Sequence, residues 1–116
     1  DGPWLLIYVS TASTPSARLV SALREWHGEV PSIGTRTVLL FAEPMAEALR
    51  FVDGRGDDMP PVRWVADTGG AAAAALRLTG SPVIVGVSDG RIEWSLSGVL
   101  NDPKTFQQAL TGWIQR

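Results

Sequence analysis

The chain has 116 residues, 45% of them hydrophobic and 19% charged, which is the balance of one compact globular domain and too apolar for a disordered tail. Ten Lys and Arg against twelve Asp and Glu give a formal net charge of -2, so the chain lacks the basic footprint of a nucleic-acid binder or of a segment that sits on anionic lipid. With no cysteine and one histidine, thiol chemistry, zinc sites, iron-sulfur clusters and haem attachment are excluded, and no cofactor or metal is expected.

In chain order, Trp4 to Ser10 is a continuous apolar run of strand length and predicts a central strand buried on both faces. Ser13-Thr14-Pro15-Ser16 pairs capping hydroxyls with a first-turn proline and opens a helix. Its apolar positions Leu19, Val20, Leu23 and Trp26 form one stripe, and it ends near Gly28. Thr37 to Ala42 predicts a second strand, and Glu43-Pro44 then leads a helical pattern at Met45, Ala48, Leu49 and Val52. The cluster from Asp53 to Pro61 predicts a surface loop. Val62 to Ala66 predicts a strand, Gly69-Gly70 a turn, and Ala71 to Leu78 a helix of small residues that can pack closely on a sheet.

Val83 to Val87 and Arg91 to Leu96 flank Ser88-Asp89-Gly90, a hairpin signal. Strict alternation along the second of these strands puts Ile92, Trp94 and Leu96 on one buried face. Asp102-Pro103 starts a last helix, whose apolar stripe is Phe106, Ala109, Leu110, Trp113 and Ile114. Trp26 and Trp113 belong to the core, whereas Trp4 stands at the margin of a partly uncovered apolar patch. The order βαβαβα then ββα predicts an α/β fold: a mixed five-stranded sheet, parallel in its core with a C-terminal antiparallel hairpin, flanked by helices. No apolar run approaches the ~18 residues of a membrane span, and Asp1-Gly2-Pro3 lacks signal-peptide flanks, so no membrane contact by this segment is expected.

Three stretches together resemble the thioredoxin-like superfamily, in particular its TlpA-type and MauD-like thiol-disulfide oxidoreductases. The first is the strand running into a polar turn and helix, Leu5 through Ser16, where the family carries Cys-x-x-Cys and this chain reads Ser13-Thr14-Pro15-Ser16. The second is Leu78-Thr79-Gly80-Ser81-Pro82-Val83-Ile84, similar to the family's entry into a strand through a cis-proline. The third runs from Val87 through Gly98-Val99-Leu100-Asn101 to the closing helix. The resemblance implies a thioredoxin-like fold with Ser13 and Ser16 at the cysteine positions and a cis Pro82 beside them. A protein or peptide substrate would lie in the groove at Pro82, touching Ala12, Thr14, Pro15 and Ser81. An extracytoplasmic location, periplasmic or cell-surface, is also implied. The family's N-terminal extension is absent, so residues 1–116 are expected to be a single domain taken from a longer protein.

In the family the first cysteine is a thiolate stabilised at a helix N-terminus, and serine cannot replace it. A serine nucleophile would require a general base. His27, the only histidine, lies eleven residues beyond Ser16 on the same helix, roughly 16 Å away at ~1.5 Å per residue, which disfavours a Ser/His hydrolase. The serines are either native, leaving a non-catalytic peptide-binding or structural module, or they stand in for native cysteines of an oxidoreductase. Their own roles are helix capping or a peptide or anion contact at the helix end. Arg55-Gly56-Asp57 matches a short adhesion tripeptide and Asp53, Asp57 and Asp58 a cluster of carboxylates. Three residues in a turn arise by chance, however, and calcium-loop spacing is missing, so a solvated loop is expected there.

Overall fold

The structure, a computed structural model, describes residues 2–97 and 103–115. Five strands form one mixed sheet in the order β3-β2-β1-β4-β5. They are β1 (Trp4–Val9), β2 (Thr37–Phe41), β3 (Arg63–Ala66), β4 (Val83–Ser88) and β5 (Arg91–Ser97). Strands β1, β2 and β3 pair in parallel, and β4 and β5 add on antiparallel. The helices are α1 (Thr14–Glu29), α2 (Ser32–Thr35), α3 (Met45–Arg55), α4 (Ala71–Leu76) and α5 (Pro103–Ile114).

The larger core lies on one face of the sheet, and a smaller buried cluster of Val83, Val85 and Val87 on the other. Leu5, Ile7 and Val9 of β1 meet Leu39 and Phe41 of β2, and α1, α2, α3 and α5 close over them with Leu23, Trp26, Ile33, Ala48, Leu110 and Trp113. The opposite face has only α4, six residues long, and Leu78 to cover it. Strand β1 therefore alternates instead of being buried on both faces: Leu5, Ile7 and Val9 are buried, while Trp4, Leu6 and Tyr8 are half-buried. A central position in a sheet supplies strand neighbours but not a helix layer, and here one layer is thin.

Several element ends differ from the sequence expectation. Helix α3 runs through Asp53 and Gly54 to Arg55 and stops where Gly56 takes a left-handed φ of 54°. One interior glycine costs only about 1 kcal/mol, and Arg55 offsets it by donating to Ser21 Oγ at 2.6 Å and lying over the Phe51 ring. That engagement also ties the arginine of the Arg55-Gly56-Asp57 tripeptide to α1. Strand β3 begins at Arg63, one residue later than expected, because Val62 N–H donates to the Pro60 carbonyl in a turn. Helix α4 ends at Leu76, not Leu78, because Arg77 adopts φ 56° and the Leu78 and Arg77 amides close back on the carbonyls of Ala73 and Ala74. This is a Schellman-type ending with arginine at the position that usually holds glycine, so no sequence signal marked it. The short α2, between Val30 and Thr37, had no signal either.

The hairpin turn holds both Asp89 and Gly90 at positive φ, as a type I′ turn requires. Beyond it a bulge shifts the register, with Val87 opposite Ile92 but Gly86 opposite Trp94. The extra residue, Glu93, puts Ile92 on the thinly covered face and leaves Trp94 on the core face. Ile92 and Leu96 are each 48% exposed, and Trp94 alone of the three packs into the core, edge-on to Trp113. In α5, Leu110, Trp113 and Ile114 are buried as the stripe predicts, but Ala109 is exposed. Gly98 to Asp102 lie outside the described residues.

Candidate functional site

Parallel strands direct their carboxyl ends to one edge of the sheet, where the chain must turn into the next helix and where α/β proteins place their ligands. The turn from β1 into α1, residues 10–13, sits at that edge. Strand β4 is antiparallel to β1, so its beginning lies at the same edge: Val83 pairs with Tyr8, and Pro82 precedes Val83. The Ser81-Pro82 peptide bond is cis and Pro82 is buried. The topology thus puts the Ser13-Thr14-Pro15-Ser16 turn and the Ser81-Pro82 entry at the same edge of the sheet.

Within the turn nearly every donor is satisfied internally. Ser13 is the N-cap of α1, its Oγ accepting from Ser16 N–H at 3.2 Å. Ser16, 1% exposed, accepts through its own Oγ from Ser10 N–H at 3.1 Å. Ser10 Oγ donates to Glu43 Oε2 at 2.7 Å and accepts from Ala12 N–H at 3.3 Å. Thr11 N–H donates to Glu43 Oε1 at 3.0 Å, and Ser13 N–H to the Ser10 carbonyl. Pro15 has no N–H. Of residues 11–16 only the Thr14 amide lacks a partner among the described residues. A helix N-terminus with one free amide and a carboxylate tied to its approach has little with which to hold an anion, so the geometry makes Ser13 the helix cap and Ser16 an acceptor that ties the preceding turn to the helix.

The other half of the site is different. The backbone N–H and C=O of Ser81 have no hydrogen-bond partner among the described residues. Next to the turn, Thr11, Glu47 and Arg50 line a shallow cavity of about 370 Å³. What this edge offers a ligand is therefore main-chain groups and a mixed-charge rim. His27 is at the far end of α1, its ring packed against Gly34 and its Nδ1 buried without a partner. It lies eleven residues from Ser16 along α1 and hydrogen-bonds neither serine, and no group of three or more metal-ligating side chains converges among the described residues.

Three residues here were not singled out from the sequence. Glu43 pins the turn. Asp67, 5% exposed at the end of β3, accepts from the Ala72 and Ala73 amides at 2.8 and 2.9 Å and so starts α4. The Tyr8 phenol lies near both carboxylates. Its pKa is raised above 10.0, by burial first and then by the charges of Asp67 and Glu43, all of which disfavour phenolate. The available signal was positional: Glu43 and Asp67 each directly follow the apolar run of a parallel strand, where the sheet edge gathers polar groups.

No protein-family model matches the sequence, and no curated protein shows significant similarity to it. Solved structures do match. A Chlorobium tepidum protein described as a thiol:disulfide interchange protein DsbE aligns over 97% of this chain and 80% of its own, at 11% identity and a TM-score of 0.78. A Bacteroides thetaiotaomicron protein described as a protein disulfide isomerase aligns over 99% and 75%, at 13% identity and 0.77. A secreted Mycobacterium tuberculosis disulfide oxidoreductase aligns over 96% and 81%, at 12% identity and 0.71. At these identities the likeness establishes the fold: the five-stranded mixed sheet with flanking helices is thioredoxin-like. The chain itself has no cysteine, and no described helix is long and apolar enough to cross a membrane.

Proposed function

We propose that this is a redox-silent thioredoxin-like domain of the extracytoplasmic, TlpA- and MauD-like type, in which Ser13 and Ser16 stand where oxidoreductases of this fold carry Cys-x-x-Cys. In place of disulfide exchange, it holds an extended segment of a partner protein in the groove beside Pro82. The observation that carries this reading is the state of the two hydroxyls. Both act as acceptors for backbone amides of the turn, Ser13 Oγ for Ser16 N–H and Ser16 Oγ for Ser10 N–H. Serine oxygen accepts such bonds better than a sulfur does. The serines thus fit a turn that has been given over to structure.

Binding then rests on main-chain pairing. The unpartnered N–H and C=O of Ser81 fit strand-like addition of a peptide, with Ala12, Thr14 and Pro15 forming the opposite wall. Because the contacts are to backbone, affinity would be modest and sequence preference weak. The test is a titration of the isotope-labelled chain with S-carboxymethylated insulin B chain, an extended polypeptide without free thiols, followed by amide resonances. Shifts confined to residues 11–16 and 80–83 are expected. Silence at both segments refutes the binding role. Acceleration of insulin disulfide reduction by the chain in the presence of dithiothreitol refutes the redox-silent one.

A further inference from the structure

Strand β5 is the last strand of the sheet and, at seven residues, the longest, spanning about 24 Å at ~3.4 Å per residue. Its outer side carries main-chain N–H and C=O groups that no other strand among the described residues meets. Such edges are ordinarily guarded by charges and bulges. Here the guards stand together at the start of the strand: Arg91, Glu93 and the bulge between Ile92 and Trp94. The residues that follow, Trp94, Ser95, Leu96 and Ser97, carry no charge.

Along this unguarded stretch the core face opens into a cavity of about 390 Å³, lined by Trp94 and Leu96 of β5 and by Ala109, Leu110, Gly112 and Trp113 of α5. Its lining is almost wholly apolar. Alternation beyond the bulge puts Leu96 on the same face as Trp94, yet Leu96 is 48% exposed, because Ala109 and Gly112 across from it are too small to cover it. Nothing in the fold requires glycine at 112. The residue lies inside α5, its φ is not left-handed, and a Cβ there would meet nothing within 4 Å. Glycine within a helix is less stable than any ordinary residue except proline, so this position gives up helix stability and keeps the cavity open. The opposite face of the same stretch is polar and cationic. Ser95 and Ser97 line a crevice with Arg77 and Thr79, and Arg77 is exposed without a carboxylate partner among the described residues.

We propose that the β5 edge from Trp94 to Ser97 takes an extended segment of a partner protein, with a large apolar side chain seated between β5 and α5 and carboxylates at the neighbouring positions. Adjacent residues of a strand point to opposite faces. A segment that sends its apolar residue into the cavity therefore turns the residues beside it toward Ser95, Ser97 and Arg77. Main-chain pairing supplies the affinity, and the two unlike faces supply the preference. Cavity and free edge share Trp94 and Leu96, and that continuity favours a strand over a free small molecule. A second copy of the chain fits less well, because β5 paired with itself offers serines where Arg77 calls for a carboxylate. The surface does not include the serine turn, and the inference does not depend on the reading of that turn.

The test uses the whole chain, isotope-labelled, and a blocked peptide of about nine residues, ~30 Å when extended, with Phe at its centre, Val at the other odd positions and Glu between them. A twin peptide has Lys in place of every Glu. Two further versions of the acidic peptide are N-methylated on alternate residues, one in each phase. The expected result is a set of amide shifts at residues 91–97 and 109–113, with the acidic peptide bound about tenfold tighter than the basic one and weakened by salt. Methylation in one phase should abolish binding and in the other be tolerated, because alternate amides of a strand face the same side. Gly112→Leu, which helix propensity favours, should weaken the acidic peptide at least about tenfold while the chain unfolds in urea no earlier than the wild type. Arg77→Gly suits the left-handed φ of 56° and should remove the preference for the acidic peptide. Unchanged binding by Gly112→Leu, equal tolerance of methylation in both phases, or shifts only at residues 11–16 and 80–83 overturns the proposal. So does toluene bound as tightly as the peptide, or a dimer in sedimentation that Gly112→Leu dissociates, since each names a different occupant.

Discussion

Replacing Gly86 by alanine adds one methyl group where the Trp94 indole already fills the space. Gly86 faces the core from β4, opposite Trp94, whose indole lies across it and meets Trp113 edge-on at 5.5 Å between ring centroids. A Cβ at Gly86 would fall 2.6 Å from Trp94 Cζ2 and closer still to Cε2 and Nε1. The backbone of Gly86 is not left-handed, so alanine can adopt it and the penalty is steric. Overpacking of this kind costs about 1–3 kcal/mol. Displacing the indole also forfeits its edge-on contact, ~0.5–1.5 kcal/mol, so a total of roughly 2–4 kcal/mol is expected. Urea unfolding of the wild type, Gly86→Ala, Trp94→Ala and the double variant measures it. Without the indole the methyl group has room, and glycine-to-alanine should then be neutral or stabilising by ~0.4–1 kcal/mol. The two changes should therefore couple by about 2 kcal/mol or more. Additivity within ~0.5 kcal/mol refutes the packing account.

The other predictions concern the edge of the sheet. Ser13→Ala removes an N-cap and should cost about 1 kcal/mol in urea unfolding. Ser16→Ala leaves the Ser10 amide without its acceptor and should cost more, ~1–3 kcal/mol, and the reverse order would contradict the burial of Ser16. Asp67→Asn keeps the shape but can accept only one of the two amide bonds from Ala72 and Ala73, so a loss of about 1 kcal/mol and weaker amide protection at the start of α4 are expected. Tyr8 is the only tyrosine, so the absorbance of its phenolate reports one group. Its midpoint should lie above 10.0, and both Asp67→Asn and Glu43→Gln should lower it. Because the folded state holds this proton more tightly than the unfolded one, the stability it contributes is complete below pH 10 and is lost as pH rises through the folded value. A midpoint at or below that of an unfolded control refutes the assignment of its neighbours.

The parts of the fold that were legible from sequence are those fixed by local pattern. The run from Trp4 to Val9, the cap and proline at Ser13-Thr14-Pro15 and the Asp89-Gly90 turn each combine several signals in a few residues, and each stands where expected. The misread parts were set by tertiary context. A one-residue bulge at Glu93 moved Ile92 to the other face, because alternation assumes a ladder without insertions. Arg77 ended α4 from a left-handed conformation that nothing in its side chain announces. Burial of β1 on both faces was inferred from hydrophobicity, yet Leu6 and Tyr8 face a layer occupied by one short helix. At the site, Ser13 and Ser16 could be singled out from sequence. Glu43 could not, because its part depends on the parallel pairing that carries the end of β2 up to the turn after β1.

That arrangement makes the proposed correspondence of Ser13 and Ser16 to a Cys-x-x-Cys pair testable. The turn has to satisfy the amides of residues 10–16 with or without chemistry, and here Ser10, Ser13, Ser16 and Glu43 supply the oxygens. Introducing thiols at positions 13 and 16 therefore has a structural cost that can be measured. In Ser13→Cys/Ser16→Cys the Ser16 and Ser10 amides lose oxygen acceptors, and the reduced variant should be less stable than the wild type by about 1–3 kcal/mol. The two positions are the N-cap and third residue of one helix, close enough for a disulfide without backbone movement. Oxidised glutathione should close it, the two thiols losing two electrons and two protons as the oxidant is reduced to two glutathione thiols. Closing so short a loop restores only ~2 kcal/mol, so the oxidised variant should come back to about wild-type stability and no further. The readout is a mass loss of two hydrogens together with urea unfolding of both forms. If the pair stays reduced, or mixed disulfides with glutathione accumulate instead, residues 13 and 16 do not have the geometry of a Cys-x-x-Cys site, and the placement of the serines in it is wrong.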